Sequence, residues 1–103
     1  MDALRSEEIV AQALQAHAAA LRAYVARRVP GAEVEDVLQS AAIRALEGAK
    51  SLSDAERVLP WLYRIHRNVS IDALRRTAAD VRRGAGESVA PDEFPAIDPP
   101  DAP

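Results

Sequence analysis

The sequence predicts an all-α protein, a compact three-helix bundle followed by a disordered acidic, proline-rich tail. Hydrophobic residues form 49% of the 103-residue chain but aromatic residues only 4%. Much of the apolar content is alanine, which favours closely packed helices. Apolar residues recur at helical spacing in three segments before residue 83 and become sparse after it. We therefore predict one domain over residues 1–83 and a flexible linker or tail over residues 84–103.

The first helix is predicted from about residue 7 to residue 29. Ser6 is a typical N-cap, and the two residues after it are acids that favour the first turn. Apolar side chains then follow at helical spacing, at Val10, Leu14, Ala18, Leu21 and Val25. Pro30 and Gly31 end the helix, because proline disfavours the helical conformation of the residue before it.

The second helix is predicted from near Glu33 to Gly48. One side of it is apolar and consists of Val34, Val37, Leu38, Ala41, Ala45 and Leu46. Acids in its first turn suit the positive end of the helix dipole. Asp36 and Gln39 are polar positions of this helix, and both are expected at its surface.

The connector, the segment between the second and third helices, is predicted over residues 49–59. It contains Ser53 and Glu56 at the spacing of a capping box, which predicts a short helical turn. Pro60 then suits the first position of a third helix that reaches about residue 83.

The third helix combines an apolar face with a basic one. The apolar face consists of Trp61, Leu62, Ile65 and Val69. On the other side Arg64, Arg75 and Arg82, here called the arginine stripe, project within roughly 20° of one another, and Arg67 and Asn68 flank them. By position Trp61 is expected to be buried and Tyr63 exposed, while His66 points away from the stripe to a surface or boundary position.

Charge is distributed unevenly along the chain. The net charge is −3, yet residues 1–83 carry 13 basic and 11 acidic side chains, whereas residues 84–103 carry five acids and no base. Residues 57–83 hold seven arginines and two aspartates. Such a concentration of positive charge suits contacts with nucleic-acid phosphates, although a solvated arginine face is the commoner explanation of such a run.

Several other functions lack support in the sequence. Cysteine is absent, and His17 and His66 have no carboxylates at ligand spacing, so we predict no metal site and no cofactor. There is no glycine-rich phosphate loop and no Ser-His-acid pattern, so we predict that the chain is not an enzyme. No apolar run approaches the roughly 20 residues of a membrane span, so a cytoplasmic protein that does not bind membranes is expected.

Two blocks of sequence resemble a known family. The run from Trp61 to Arg76, WLYRIHRNVSIDALRR, resembles the W-L-[YF]-R-I-x-R-N-x-x-x-D-x-L-R-R block of region 2 of extracytoplasmic-function sigma factors. These are small promoter-specificity subunits of bacterial RNA polymerase. The run from Glu35 to Gln39, EDVLQ, is similar to the family's E-D-L-V-Q block. The resemblance covers about residues 14–83 and implies that one helix docks on polymerase while another recognises and melts the minus-ten promoter element.

The resemblance also implies roles for individual residues. Asp36 and Gln39 match the segment that contacts the clamp helices of the polymerase beta-prime subunit. The connector near Lys50 to Arg57, including Asp54, matches the loop that captures a flipped base of the single-stranded non-template strand. The helix that faces this element corresponds to Arg64, Arg67, Asn68, Asp72, Arg75 and Arg76, with Tyr63 as a candidate for stacking on a base.

The chain also departs from the family pattern. Ser40 and Ala42 stand where the family usually has glutamate and a large aromatic residue. Nothing after Arg83 predicts the second DNA-binding domain that reads the minus-thirty-five element, so we expect either a fragment that ends in the linker, which we favour, or a lone region 2 protein. A sigma-like decoy that binds polymerase or an anti-sigma factor without reading promoters fits the same residues.

Overall fold

The computed structural model describes the backbone of residues 2–85 and the side chains of residues 2–82. Within this part of the chain the regular structure is entirely helical, which confirms the predicted all-α class. The α-helices are α1 (Ala3–Ala16), α2 (Ala18–Ala26), α3 (Val34–Glu47) and α4 (Val58–Ala85). Short 3-10 turns at Gly31–Glu33, Ala49–Ser51 and Ala55–Arg57 lie between them. None of the described helices is both long and apolar enough to span a membrane.

The first predicted helix is two helices that meet at His17. This residue has φ −112° and ψ 20°, but hydrogen bonds continue on both sides of it, from its amide to Ala13 and from Leu21 to its carbonyl. The N-cap is Asp2, whose carboxylate accepts a hydrogen bond of 2.8 Å from the amide of Arg5. The prediction of Ser6 as the cap was therefore wrong, because Ser6 is buried inside α1. Neither proline nor glycine marks the break at His17, so the sequence carries no signal for it.

The second predicted helix and the connector have the expected places in the chain. Helix α3 ends at Glu47, and Gly48 caps it, so Gly48 terminates the helix as predicted. In the connector, which the structure places at residues 48–57, the predicted capping box is wrong in detail. Asp54, and not Ser53, caps the turn, since its carboxylate accepts a 3.0 Å hydrogen bond from the amide of Glu56.

Helix α4 is the longest element and packs against the other three α-helices. Its 28 residues span about 42 Å. The helix begins at Val58, so the predicted start at Pro60 was two residues late. Pro60 still lies in the first turn, where a missing amide hydrogen leaves no intrahelical bond unmade. The core between α4 and its neighbours is built around fully buried side chains, among them Val10, Leu21, Tyr24, Val37 and Leu62.

Three expectations about α4 were wrong. Tyr63 is only 5% exposed, because its ring packs edge-to-face against Tyr24 with the ring centroids 5.0 Å apart. His66 is buried and not at the surface, while Trp61 is only half-buried. Helical periodicity placed these side chains around α4 correctly, but it could not show which sides α1 and α2 cover. The predicted tail began at residue 84, but the backbone of α4 continues to Ala85, so that boundary was wrong. The rest of the predicted tail, residues 86–103, lies outside the described residues.

Candidate nucleic-acid interface

The outer face of α4 carries the arginine stripe. Arg64, Arg75 and Arg82 are all exposed, as predicted, and so are Asn68 and Arg76. At 1.5 Å per residue, Arg64 and Arg75 are about 16 Å apart along the axis. Neither of them forms an ion pair with another described residue. The stripe therefore presents charges that are available to an anionic partner.

Arg67 lies beside the stripe in a different environment. Its side chain is half-buried, and its Nε atom is buried without a hydrogen-bond partner among the described residues. A buried donor without an acceptor costs about 1–3 kcal/mol. An oxygen atom of a bound partner could satisfy this donor, provided that the side chain turns toward solvent.

Asp72 is the acidic residue of the predicted DNA-facing set. Its Oδ2 atom lies 3.4 Å from Nη2 of Arg44, and both side chains are about half exposed. Arg44 belongs to α3, 28 residues earlier in the chain. Sequence reasoning did not select it, because no local pattern connects two residues that far apart. Helix packing alone brings this cation to the edge of the stripe.

A pocket of about 180 Å³ lies where the connector meets the start of α4. Its apolar side is formed by Leu52, which is buried, and by Trp61. Its polar side includes Asp54, Arg57 and Arg64. The predicted connector residues and the first residue of the stripe are thus brought together, whereas Lys50 is exposed outside the pocket lining. The half-buried Trp61 packs against the core and also forms a wall of this pocket.

The exposed side of α3 carries the predicted docking residues. Asp36 and Gln39 are exposed, as expected. Ile43 and Leu46 are 51% and 39% exposed and lie within about 60° of Gln39 around the helix. Leu46 was assigned to the apolar core side of this helix, and that assignment was wrong. We use the name docking face for Asp36, Gln39, Ile43 and Leu46 together.

A second groove, of about 370 Å³, runs between α2 and α3 beside the docking face. Small side chains on both walls, Ala18 and Ala42, leave it open, with Gln39 also in its lining. Arg22 and Glu35 form a 2.6 Å ion pair in the same lining. The hydrogen bond and charge of Arg22 hold the pKa of Glu35 below its usual value.

His66 borders this groove from α4. Its Nδ1 atom lies 2.8 Å from the carbonyl oxygen of Leu62, which fits the tautomer that donates from Nδ1. Burial lowers the pKa of His66, and the hydrogen bond to Leu62 opposes the shift only in part. The imidazole is therefore neutral at pH 7 and is not one of the cations of the interface. The hydroxyl of Ser70 donates to the His66 carbonyl at 2.8 Å, so both polar groups are accommodated within α4.

Comparison with known protein families shows the family to which the chain belongs. Residues 13–79 match the family model of sigma-70 region 2. The match covers α2, α3 and the connector in full, the last part of α1 and most of α4. It therefore includes the docking face and, of the stripe, Arg64 and Arg75 but not Arg82. The chain belongs to the sigma-70 region 2 family, whose role is in RNA polymerase binding and promoter melting during transcription initiation. No curated protein and no solved structure matches the chain.

Proposed function

We propose that this chain is the region 2 domain of a sigma factor of the extracytoplasmic-function type. It docks on the clamp helices of the polymerase beta-prime subunit through the docking face of α3. It recognises and melts the minus-ten element with the connector pocket and α4. The observation that carries this proposal is the position of Arg64, which lines the pocket and also begins the arginine stripe.

The pocket has the features that capture of one base requires. Its volume of about 180 Å³ is below the roughly 300–1,000 Å³ of sites for drug-sized ligands, so it suits a single flat group. Trp61 and Leu52 supply apolar contact, and the side chains of Asp54 and Arg57 supply hydrogen-bonding groups for the base edge. Extruding a base costs a few kcal/mol, and stacking on an aromatic side chain returns roughly 1–3 kcal/mol.

The stripe supplies the remaining free energy through phosphates. Its charges stand on one face of a single helix, and a strand that leaves the pocket beside Arg64 can follow that face toward Arg75 and Arg82. Such contacts do not depend on base identity, so sequence preference is expected to come from the pocket. Tyr63 has no part in this proposal, because its ring is buried against Tyr24.

The docking face suits a helical partner. Two exposed apolar side chains, Ile43 and Leu46, lie between polar neighbours, which is the pattern of an interface core with a polar rim. This face and the stripe belong to different helices, as the simultaneous binding of polymerase and DNA requires.

Trp61 makes the DNA part of the proposal directly testable, because it is the one tryptophan of the chain. Single strands enriched from a random pool by polymerase core loaded with this chain should change the Trp61 fluorescence of the isolated chain. Duplex DNA of the same sequence should have little effect. Asp54→Ala should reduce the discrimination between enriched and random strands, while Glu47→Ala, an exposed acid outside the pocket lining, serves as the control.

One result would contradict the proposal, and a second measurement would then identify the alternative. If enriched and random strands bound equally and left Trp61 fluorescence unchanged, the pocket would not capture a base. If the chain then still bound the beta-prime clamp helices, it would be a decoy that occupies polymerase without reading promoters.

A further inference from the structure

The Arg44–Asp72 ion pair lies at the edge of the arginine stripe. At 100° per residue, Asp72 projects about 60° from Arg75 on one side and about 40° from Arg76 on the other. An aspartate in this position opposes the binding of phosphates, because it places a negative charge among the cations that would bind them. In the structure its carboxylate is paired with Arg44 at 3.4 Å.

Helix α3 has a second ion pair that serves as a comparison. Glu35 of α3 pairs with Arg22 of α2 at 2.6 Å. Glu35 and Arg44 are nine positions apart, so they project about 180° apart around α3. One pair therefore faces α2 and the other faces the DNA-binding helix. Both are exposed enough that neither is expected to decide whether the chain folds.

We infer that Arg44 tunes DNA binding through Asp72 without contacting DNA itself: it neutralises the acid that lies between Arg75 and Arg76 around α4, so that this acid does not repel the phosphates that those arginines bind. Arg44 is thus a positioning residue for the charge of this surface. The inference rests on the proposed DNA-binding role of α4. The effect of Arg44 does not depend on promoter sequence, because neutralising Asp72 weakens its repulsion of any nearby phosphate.

The test is a set of variants of the full chain titrated with a short fluorescein-labelled DNA single strand of random sequence. Arg44→Ala should weaken binding about threefold at low salt, the factor expected in water when a unit charge about 6 Å from a phosphate is uncovered. Asp72→Asn should tighten binding by a similar factor. The double variant should return to the affinity of the parent, with the same dependence on salt. Arg22→Ala removes the same charge from α2, on the opposite side of α3, and should change the DNA affinity little.

Opposite signs for the two single variants separate this role from a structural one. If the ion pair only tethered α3 to α4, both single variants would weaken binding together, and the inference would be wrong. If Arg44 bound a phosphate directly, the double variant would stay weak and its log–log salt slope would fall by about 0.7, which would also overturn it. If enriched and random strands bound equally while the sign pattern held, the proposed promoter recognition would fail and the role of Arg44 would stand. No binding of the parent at low salt would overturn both.

Discussion

The most direct test of the arginine stripe is the paired replacement Arg64→Ala with Arg75→Ala. Both side chains are exposed and neither forms an ion pair with a described residue, so their removal should leave the fold intact. Each arginine that neutralises a phosphate of a single strand adds about −0.7 to the slope of log affinity against log salt. The double variant should therefore lower the steepness of that slope by roughly 1.4. Between about 50 mM and about 200 mM salt, this removes roughly a sevenfold change in affinity.

Fluorescence anisotropy of a labelled single strand at several salt concentrations measures this slope. The matched control is Arg5→Ala with Arg27→Ala, which removes the same charge from exposed positions on α1 and at the end of α2. If the control flattened the slope as much as the stripe variant did, net charge and not the stripe would govern binding. If the stripe variant kept both the affinity and the slope of the parent, the arginines would be a solvated helix face.

Three further predictions concern other parts of the chain. Replacing Asp36 and Gln39 with alanine should weaken binding to a beta-prime clamp fragment in a pull-down assay. The melting temperature should stay nearly constant, since both side chains are exposed. A large loss of stability would instead indicate a structural role. Deleting residues 87–103 should tighten single-strand binding at low salt, because it removes five acids that compete with phosphates for the arginines, and unchanged affinity would contradict this competition. Burial lowers the pKa of His66 in the folded state, so the unfolded chain takes up the proton first, and the melting temperature should fall as pH decreases below about 6.5. His66→Gln should remove the part of this fall that comes from His66, and His17→Gln should leave it unchanged. A fall of the same size in both variants would show that His66 is not responsible.

Much of the architecture followed from the pattern of apolar residues. Helical spacing and terminating residues placed α3 correctly up to Gly48, because such signals act within one turn of the chain. The stripe was also predictable, since Arg64, Arg75 and Arg82 share one side of any continuous helix at that spacing. The charge of the stripe suits contact with nucleic acid, although a solvated helix face is the commoner explanation of such a run, and the role of the connector is implied only by the family resemblance.

Other features depended on which surfaces the helices bury against one another. Helical periodicity predicted the side of α4 on which Tyr63 and His66 lie, but it could not show that neighbouring helices cover these side chains. For the same reason Trp61 was expected to be buried, although it only packs against the edge of the core and leaves part of its side chain as a wall of the connector pocket. Leu46 has an apolar side chain at helical spacing, yet the described residues leave it 39% exposed.

Sequence alone therefore determined the helical class, the course of α3 and the stripe, because hydrophobic period, capping and charge act over a few residues. Tertiary structure decided the burial of Tyr63, the connector pocket and the Arg44–Asp72 pair. Each of these requires side chains from different elements to meet. The partners of the ion pair are 28 positions apart in sequence and 3.4 Å apart in space, and only the packing of α3 on α4 brings them together.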